Sequence, residues 1–233
     1  MKAFKEISNG LTQLFFPHTC AGCGSDLLGN DNLICLQCLA NLPETNFAQH
    51  ANNPVEKIFW GRVPVTAAMT GFYFSKHAII QILIHQLKYK GNKAMGVFLG
   101  NRIGLQLNES TRFNKIDALI PLPLFPDKQK RRGYNQASII AEGISEIIDV
   151  PVWNNIITRK IYTDTQTHKG RIDRWHNVKE SFSLLNEGAI QNKHVLLVDD
   201  VITTGATTEA CGVVLLSAKN VQLSIAALAY ATD

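Results

Sequence analysis

Val195-Leu196-Leu197-Val198-Asp199-Asp200-Val201-Ile202-Thr203-Thr204-Gly205-Ala206-Thr207 is the stretch that decides the fold of this chain. Four apolar residues predict a central strand. Two carboxylates stand at its carboxyl end, and Thr-Thr-Gly-Ala-Thr then leads into a helix predicted over residues 207–217. Ligands of open α/β sheets bind beyond the carboxyl ends of the strands. A tight loop at a helix N-terminus presents free N–H groups to an anion, and the helix dipole favours negative charge there. Gly205 permits close backbone approach, and the threonine hydroxyls add donors. Asp199 and Asp200 would repel a bare phosphate, so the ligand must also present sugar hydroxyls or a magnesium ion.

Outward from this loop the chain alternates between strand and helix patterns. Residues 65–74, 118–121 and 221–230 read as strands. Residues 77–88, 93–107 and 135–148 read as helices, with Ile80, Leu83, Ile84 and Leu87 marking the buried face of the first. Asn220 reads as the C-cap of the helix after the phosphate loop. Residues 41–62, with Asn52-Asn53-Pro54 and Gly61, read as a connection. The alternation predicts an α/β fold with a mostly parallel sheet flanked by helices. An amphipathic helix is predicted over residues 3–16, ended by Pro17.

The cysteines are clustered. Cys20-x-x-Cys23 and Cys35-x-x-Cys38 are two pairs separated by eleven residues. Each pair supplies two thiolates from one turn, and two such turns complete a closed tetrahedral zinc site. No coordination position stays open, so the zinc would be structural. The fifth, Cys211, sits on an apolar helix and reads as a core residue.

Size and charge narrow the function. The chain has 233 residues, 45% of them hydrophobic, enough for one full domain and a small appendage. Residues 1–55 are expected to form the N-terminal helix and a zinc ribbon, and residues 56–233 the α/β domain. No apolar run approaches the roughly 20 residues of a membrane-spanning helix. The N-terminus has no signal-peptide pattern, which gives a cytoplasmic address and no membrane insertion. The formal charge is +4, and about two units of it vanish if four thiolates hold one zinc. Residues 1–50 set Lys2 and Lys5 against Glu6, Asp26, Asp31 and Glu44, so the ribbon is too acidic to grip DNA phosphates.

The basic groups lie elsewhere. Lys128, Lys130, Arg131 and Arg132 crowd a predicted loop between a strand end and a helix, where arginine matches phosphate oxygens in a fork. Arg159, Lys160, Lys169, Arg171 and Arg174 mark a stretch suited to a flap. Lys88-Tyr89-Lys90-Gly91 reads as a helix C-terminus with favourable lysines and a glycine cap, or as a further basic group of the site.

Residues 195–207 resemble the phosphoribosyl pyrophosphate motif of type I phosphoribosyltransferases at every position. The resemblance implies that Asp199 and Asp200 contact the ribose 2′- and 3′-hydroxyls, with magnesium nearby. It also implies that Thr203, Thr204, Gly205, Ala206 and Thr207 cradle the 5′-phosphate. Two further stretches, Ile120-Pro-Leu-Pro-Leu124 with Arg131-Arg-Gly-Tyr-Asn-Gln-Ala137, and Thr163-x-x-Gln166 with Arg174-x-x-Asn177-Val178 and Phe182, join the cysteine cluster in resembling the ComF, or GntX-like, family. That resemblance implies a type I phosphoribosyltransferase-like fold with a zinc ribbon, and a link to competence and natural transformation. Arg131 and Arg132 are then expected at the pyrophosphate. Two functions follow as expectations. One is phosphoribosyl transfer to an acceptor the sequence does not identify. The other is a non-catalytic protein that senses nucleotides or handles single-stranded DNA, with competence proteins as partners.

Overall fold

The computed structural model describes residues 19–26, 28, 32–75, 78–159 and 181–231. The helix expected over 3–16 and the expected flap beyond Arg159, including Lys160, Lys169, Arg171 and Arg174, lie outside the described residues.

Four parallel strands form the central sheet. These are β1 (Ala67–Phe74), β2 (Ala118–Pro121), β5 (His194–Ile202) and β6 (Gln222–Ala231), in the order β1-β6-β5-β2. β3 (Ile157–Arg159) and β4 (Phe182–Leu184) make a separate antiparallel pair. Val195 to Val198 are fully buried, as a parallel strand covered on both faces requires. The strand outruns its apolar stretch, however. It continues through both aspartates to Ile202 because the long β6 keeps supplying partners, with Asp199 opposite Ala227 and Val201 opposite Ala229.

Helices cover the sheet. α1 (Leu36–Ala40) follows the second cysteine turn, and α2 (Pro54–Phe59) precedes β1. α3 (Ile79–Tyr89) and α4 (Lys93–Asn108) lead to β2, α5 (Pro126–Arg132) and α6 (Gln136–Ile148) follow it, α7 (Glu187–Ile190) precedes β5, and α8 (Ala206–Leu215) joins β5 to β6. α4 and α6 approach closely: a Cβ on Gly100 would fall on the Ile140 carbonyl, and one on Gly143 on the Val97 carbonyl. One hydrophobic core runs from Cys20 and Leu42 to Leu228.

Three expectations need correction. Residues 41–62 contain a helix, because Asn53 is its N-cap. The Asn53 side chain accepts from the N–H groups of Val55 and Glu56 and donates to the carbonyls of Phe47, His50 and Ala68, while Pro54 takes the first helical position, where it loses no hydrogen bond. Residues 126–132 are also helical rather than a loop. Pro126 and Asp127 occupy the first turn, Lys130, Arg131 and Arg132 the last, and Gly133 closes it at φ 79°, which complements the dipole at both ends. Asn220 does not cap α8. That helix stops at Leu215 with Leu216 as cap, and Asn220 takes a left-handed turn at φ 56° before β6.

The segment after the cysteines is tied to the sheet rather than set apart. Thr45 N–H bonds to the Gly71 carbonyl at 3.0 Å and Tyr73 N–H to the Pro43 carbonyl at 2.8 Å. The expected boundary at residues 55 and 56 falls inside α2.

Candidate functional site

The chain leaves β5 through α8 toward β6, whereas from β2 it returns through α6 to Val152, which bridges the opposite edge of β2 at Leu119. The two departures diverge between β5 and β2, which opens a crevice at their carboxyl ends. A cleft of about 220 Å³ lies there. Its lining runs from Asp199 to Thr208 on one side, with Lys88, Leu122, Leu124, Lys128, Arg132 and Arg159 facing it.

The loop between β5 and α8 is built around Gly205. It is the N-cap of α8, with φ 72°, and no side chain caps the helix. The first N–H groups of α8 therefore lack the usual partner. A Cβ at Gly205 would sit 2.6 Å from Ile58 Cγ2, so α2 excludes a side chain here. Arg62 braces the loop from behind: its guanidinium donates to the Thr204 carbonyl at 3.2 Å and pairs with Glu209 at 2.5 Å.

The two aspartates have different surroundings. Asp199 Oδ1 accepts the Asp200 N–H at 2.7 Å, and Oδ2 accepts the Thr208 hydroxyl at 3.0 Å. Burial, followed by the neighbouring Asp200 charge, pushes the Asp199 carboxyl up to about 7. Asp200 is paired instead, with Oδ2 2.7 Å from Lys88 Nζ.

The stretch Arg132 to Gln136 organises the facing wall. Arg132 Nη1 donates to Gln136 Oε1 at 2.6 Å. Tyr134 is buried, and its hydroxyl donates to the Leu87 carbonyl, pinning the end of α3. Asn135 caps α6 and donates to the Leu122 carbonyl at 3.0 Å. Arg132 thus enters the cleft from a fixed frame.

Of the residues expected at the site, Asp199, Asp200, Thr203, Thr204, Gly205, Ala206, Thr207 and Arg132 line this one cleft. Arg131 does not. It is exposed, one helical step from Arg132, whereas Lys128 shares the face of Arg132 four residues earlier. Lys130 lines an adjacent cavity of about 720 Å³. Lys88 reaches the cleft as well as ending its helix. Its place beside the buried Leu87 gave no sign of this, since its partner Asp200 is remote in sequence. Thr208 was visible only as one more hydroxyl after the motif.

The second cluster lies at the N-terminal end. The sulfurs of Cys20, Cys23, Cys35 and Cys38 all lie within 4.8 Å of one another, and Cys23 and Cys35 are 3.8 Å apart. A tetrahedron with zinc–sulfur bonds of about 2.3 Å has sulfur–sulfur edges of about 3.8 Å, so the four fit a zinc site. Burial works against the Cys20 thiolate, but N–H groups of Cys23, Cys35 and Gly22 outweigh it and lower the thiol to about 6. Hydrogen bonds from Ser25 lower Cys23, while burial and the other thiols raise Cys38. An adjacent cation would hold all four as thiolates. The knuckle rests on α3, where Gln86 Nε2 donates to the Ala21 carbonyl at 2.7 Å.

The parallel sheet, the switch-point cleft with its glycine-capped loop and the four-cysteine knuckle define a type I phosphoribosyltransferase-fold protein with a zinc-fitting appendage. The chain is 31% identical over 209 residues to competence protein F of Haemophilus influenzae, covering 83% of this chain and 88% of that one. It belongs to the competence protein F family. DNA utilization protein YhgH of Escherichia coli K12 is 28% identical over 189 residues, covering 80% of this chain and 79% of its own, and competence protein ComFC of Bacillus subtilis is 29% identical over 89 residues, covering 38% and 34%. Among solved structures, a hypoxanthine phosphoribosyltransferase from Staphylococcus aureus matches with TM-score 0.37 and 16% identity over 59% of this chain and 64% of that one. No family model matches the chain. No helix among the described residues is long and apolar enough to cross a membrane.

Proposed function

We propose that the cleft binds phosphoribosyl pyrophosphate with magnesium and transfers its phosphoribosyl group to an acceptor, releasing pyrophosphate. One observation carries this reading: carboxylates able to accept from sugar hydroxyls, amides able to hold a phosphate, and four cations share a single cleft. In this reading residues 203–207 hold the 5′-phosphate, and Asp199 and Asp200 orient the ribose and offset positive charge developing at its C1. Lys128 and Arg132 stabilise the departing pyrophosphate, and the rate gain is orientation and electrostatics. Magnesium, held by ligand oxygens near the two aspartates, would neutralise phosphate charge. Zinc on the four cysteines would be structural, and clustered cysteines that hold a metal rather than form disulfides suit a cytoplasmic setting. The names of the relatives favour a role in competence or DNA utilization. The test is pyrophosphate release from phosphoribosyl pyrophosphate across a panel of bases and amines. An absence of pyrophosphate release with every acceptor in the panel, together with no calorimetric binding of the donor, would defeat the reading.

A second reading has one observation of its own. Tyr89 is 64% exposed, and the Arg132 guanidinium lies 5.6 Å from its ring, beside Lys88 and Lys90. A basic edge with an exposed ring is what single-stranded DNA uses for stacking and phosphate contact. In this reading one patch serves both ligands.

A further inference from the structure

We propose that Arg159 is a receptor for a phosphoryl group of the ligand, held ready by an aromatic clamp; the inference rests on the reading of the cleft given above. The Arg159 guanidinium lies 3.6 Å from the centroid of the Phe125 ring and 5.2 Å from that of Phe182. The two rings come from separate elements. Phe125 follows β2, and Phe182 stands opposite Arg159 in the β3–β4 register. Contacts with rings engage the faces of the guanidinium and leave the donors on its edge free.

Among the described residues no hydrogen bond meets those donors. Arg159 Nε is buried with no hydrogen-bond partner, and Arg159 forms no ion pair among the described residues. Burial holds its pKa below the ordinary arginine range. A desolvated cation with no directly paired carboxylate costs stability; the nearby Asp199 charge offsets part of that cost, and an anionic ligand at its free edge would offset more. Arg159 lines the same cleft as Thr203 to Thr208 and Lys128, so an anion bound in that cleft is placed to meet its free edge. The planar fork of arginine matches two phosphoryl oxygens at once. Such a group is present at either end of a phosphoribosyl diphosphate: the 5′-phosphate or the pyrophosphate.

The competing role is mechanical, with Arg159 serving only to stack the β3–β4 pair onto the segment after β2. Calorimetry with three probes separates the two roles, using phosphoribosyl pyrophosphate, ribose 5-phosphate and inorganic pyrophosphate, each with magnesium. Loss of a charge-assisted hydrogen bond predicts that Arg159→Met weakens phosphoribosyl pyrophosphate by roughly tenfold or more, together with one of the two half-ligands. That half-ligand identifies the end bound. Arg159→Lys keeps the charge but loses the fork, so it should fall between, and it answers the question if the methionine variant folds poorly. Arg159→Met also removes the contacts with Phe125 and Phe182, so its ligand-free melting temperature serves only to confirm that the variant is folded. Affinities within twofold of wild type for all three probes in both variants would overturn the inference and leave the cleft reading intact. Wild-type protein that binds none of the three would overturn both.

Discussion

Lys88 and Asp200 form an ion pair of 2.7 Å across the mouth of the cleft, with both side chains largely buried. The lysine comes from the last turn of α3 and the aspartate from the end of β5. The pair neutralises one of two adjacent carboxylates, and Lys88 also helps to hold down the pKa of Asp199. Lys88→Met should therefore weaken anion binding by about tenfold, in line with a partly buried charge contact. Calorimetry with phosphoribosyl pyrophosphate at fixed magnesium measures this, and unchanged affinity would leave Lys88 as a structural tie only.

The raised pKa of Asp199 has a defined signature in pH. The folded protein holds this proton more tightly than the unfolded chain, whose carboxylates titrate near about 3.9. Stability from this group is complete below that value and is lost as pH rises through about 7. Melting temperatures of ligand-free wild type and Asp199→Asn, taken from pH 4 to pH 7.5, should show wild type losing ground steadily to the variant. A constant difference would mean that burial does not penalise the carboxylate.

Gly205→Val should abolish phosphate binding and destabilise the protein. The backbone is left-handed at this position, and a side chain would strike Ile58. The conformational cost alone is roughly 1–2 kcal/mol, with the clash in addition. Urea denaturation gives the stability change, and calorimetry gives the loss of ligand.

Arg131 and Arg132 should separate. Arg132→Glu puts a carboxylate into the cleft and should cost phosphoribosyl pyrophosphate more than tenfold, whereas Arg131→Glu should change it by less than about threefold. If Tyr89 and Arg132 form a strand-binding edge, Tyr89→Ala should lower single-stranded DNA affinity in fluorescence anisotropy at low salt, and phosphoribosyl pyrophosphate should compete. DNA binding that survives both Arg132→Glu and saturating ligand would defeat the shared patch.

Protein purified without added metal should carry one zinc per chain by elemental analysis. Cys20→Ser or Cys38→Ser should lower both zinc content and melting temperature, because both residues are buried in the knuckle.

The site was legible in the sequence where its chemistry is contiguous. Asp199 to Thr207 and the two cysteine pairs are runs whose spacing carries their geometry. Arg131 and Arg132 could not be told apart, because the segment reads as a loop until Pro126 and Gly133 are seen as the two ends of one helical turn pair. Lys88 and Arg159 were each grouped with other basic residues, one with a helix end and one with a flap. Their roles depend on Asp200 and Phe125, which are remote in sequence. The α2 helix was missed because Asn-Asn-Pro signals a turn and a helix start equally well, and only the buried acceptors around Asn53 decide between them.

α3 touches both clusters of the molecule. Gln86 bonds the cysteine knuckle at Ala21, and two residues later Lys88 bonds Asp200. Thermodynamic linkage makes this contact symmetric. Whatever factor a metal in the knuckle contributes to anion affinity through this helix, the anion must return to metal retention. If metal in the knuckle tightens anion binding, a saturated cleft releases zinc to a chelator more slowly, and a chain stripped of zinc holds its anion more weakly by the same factor.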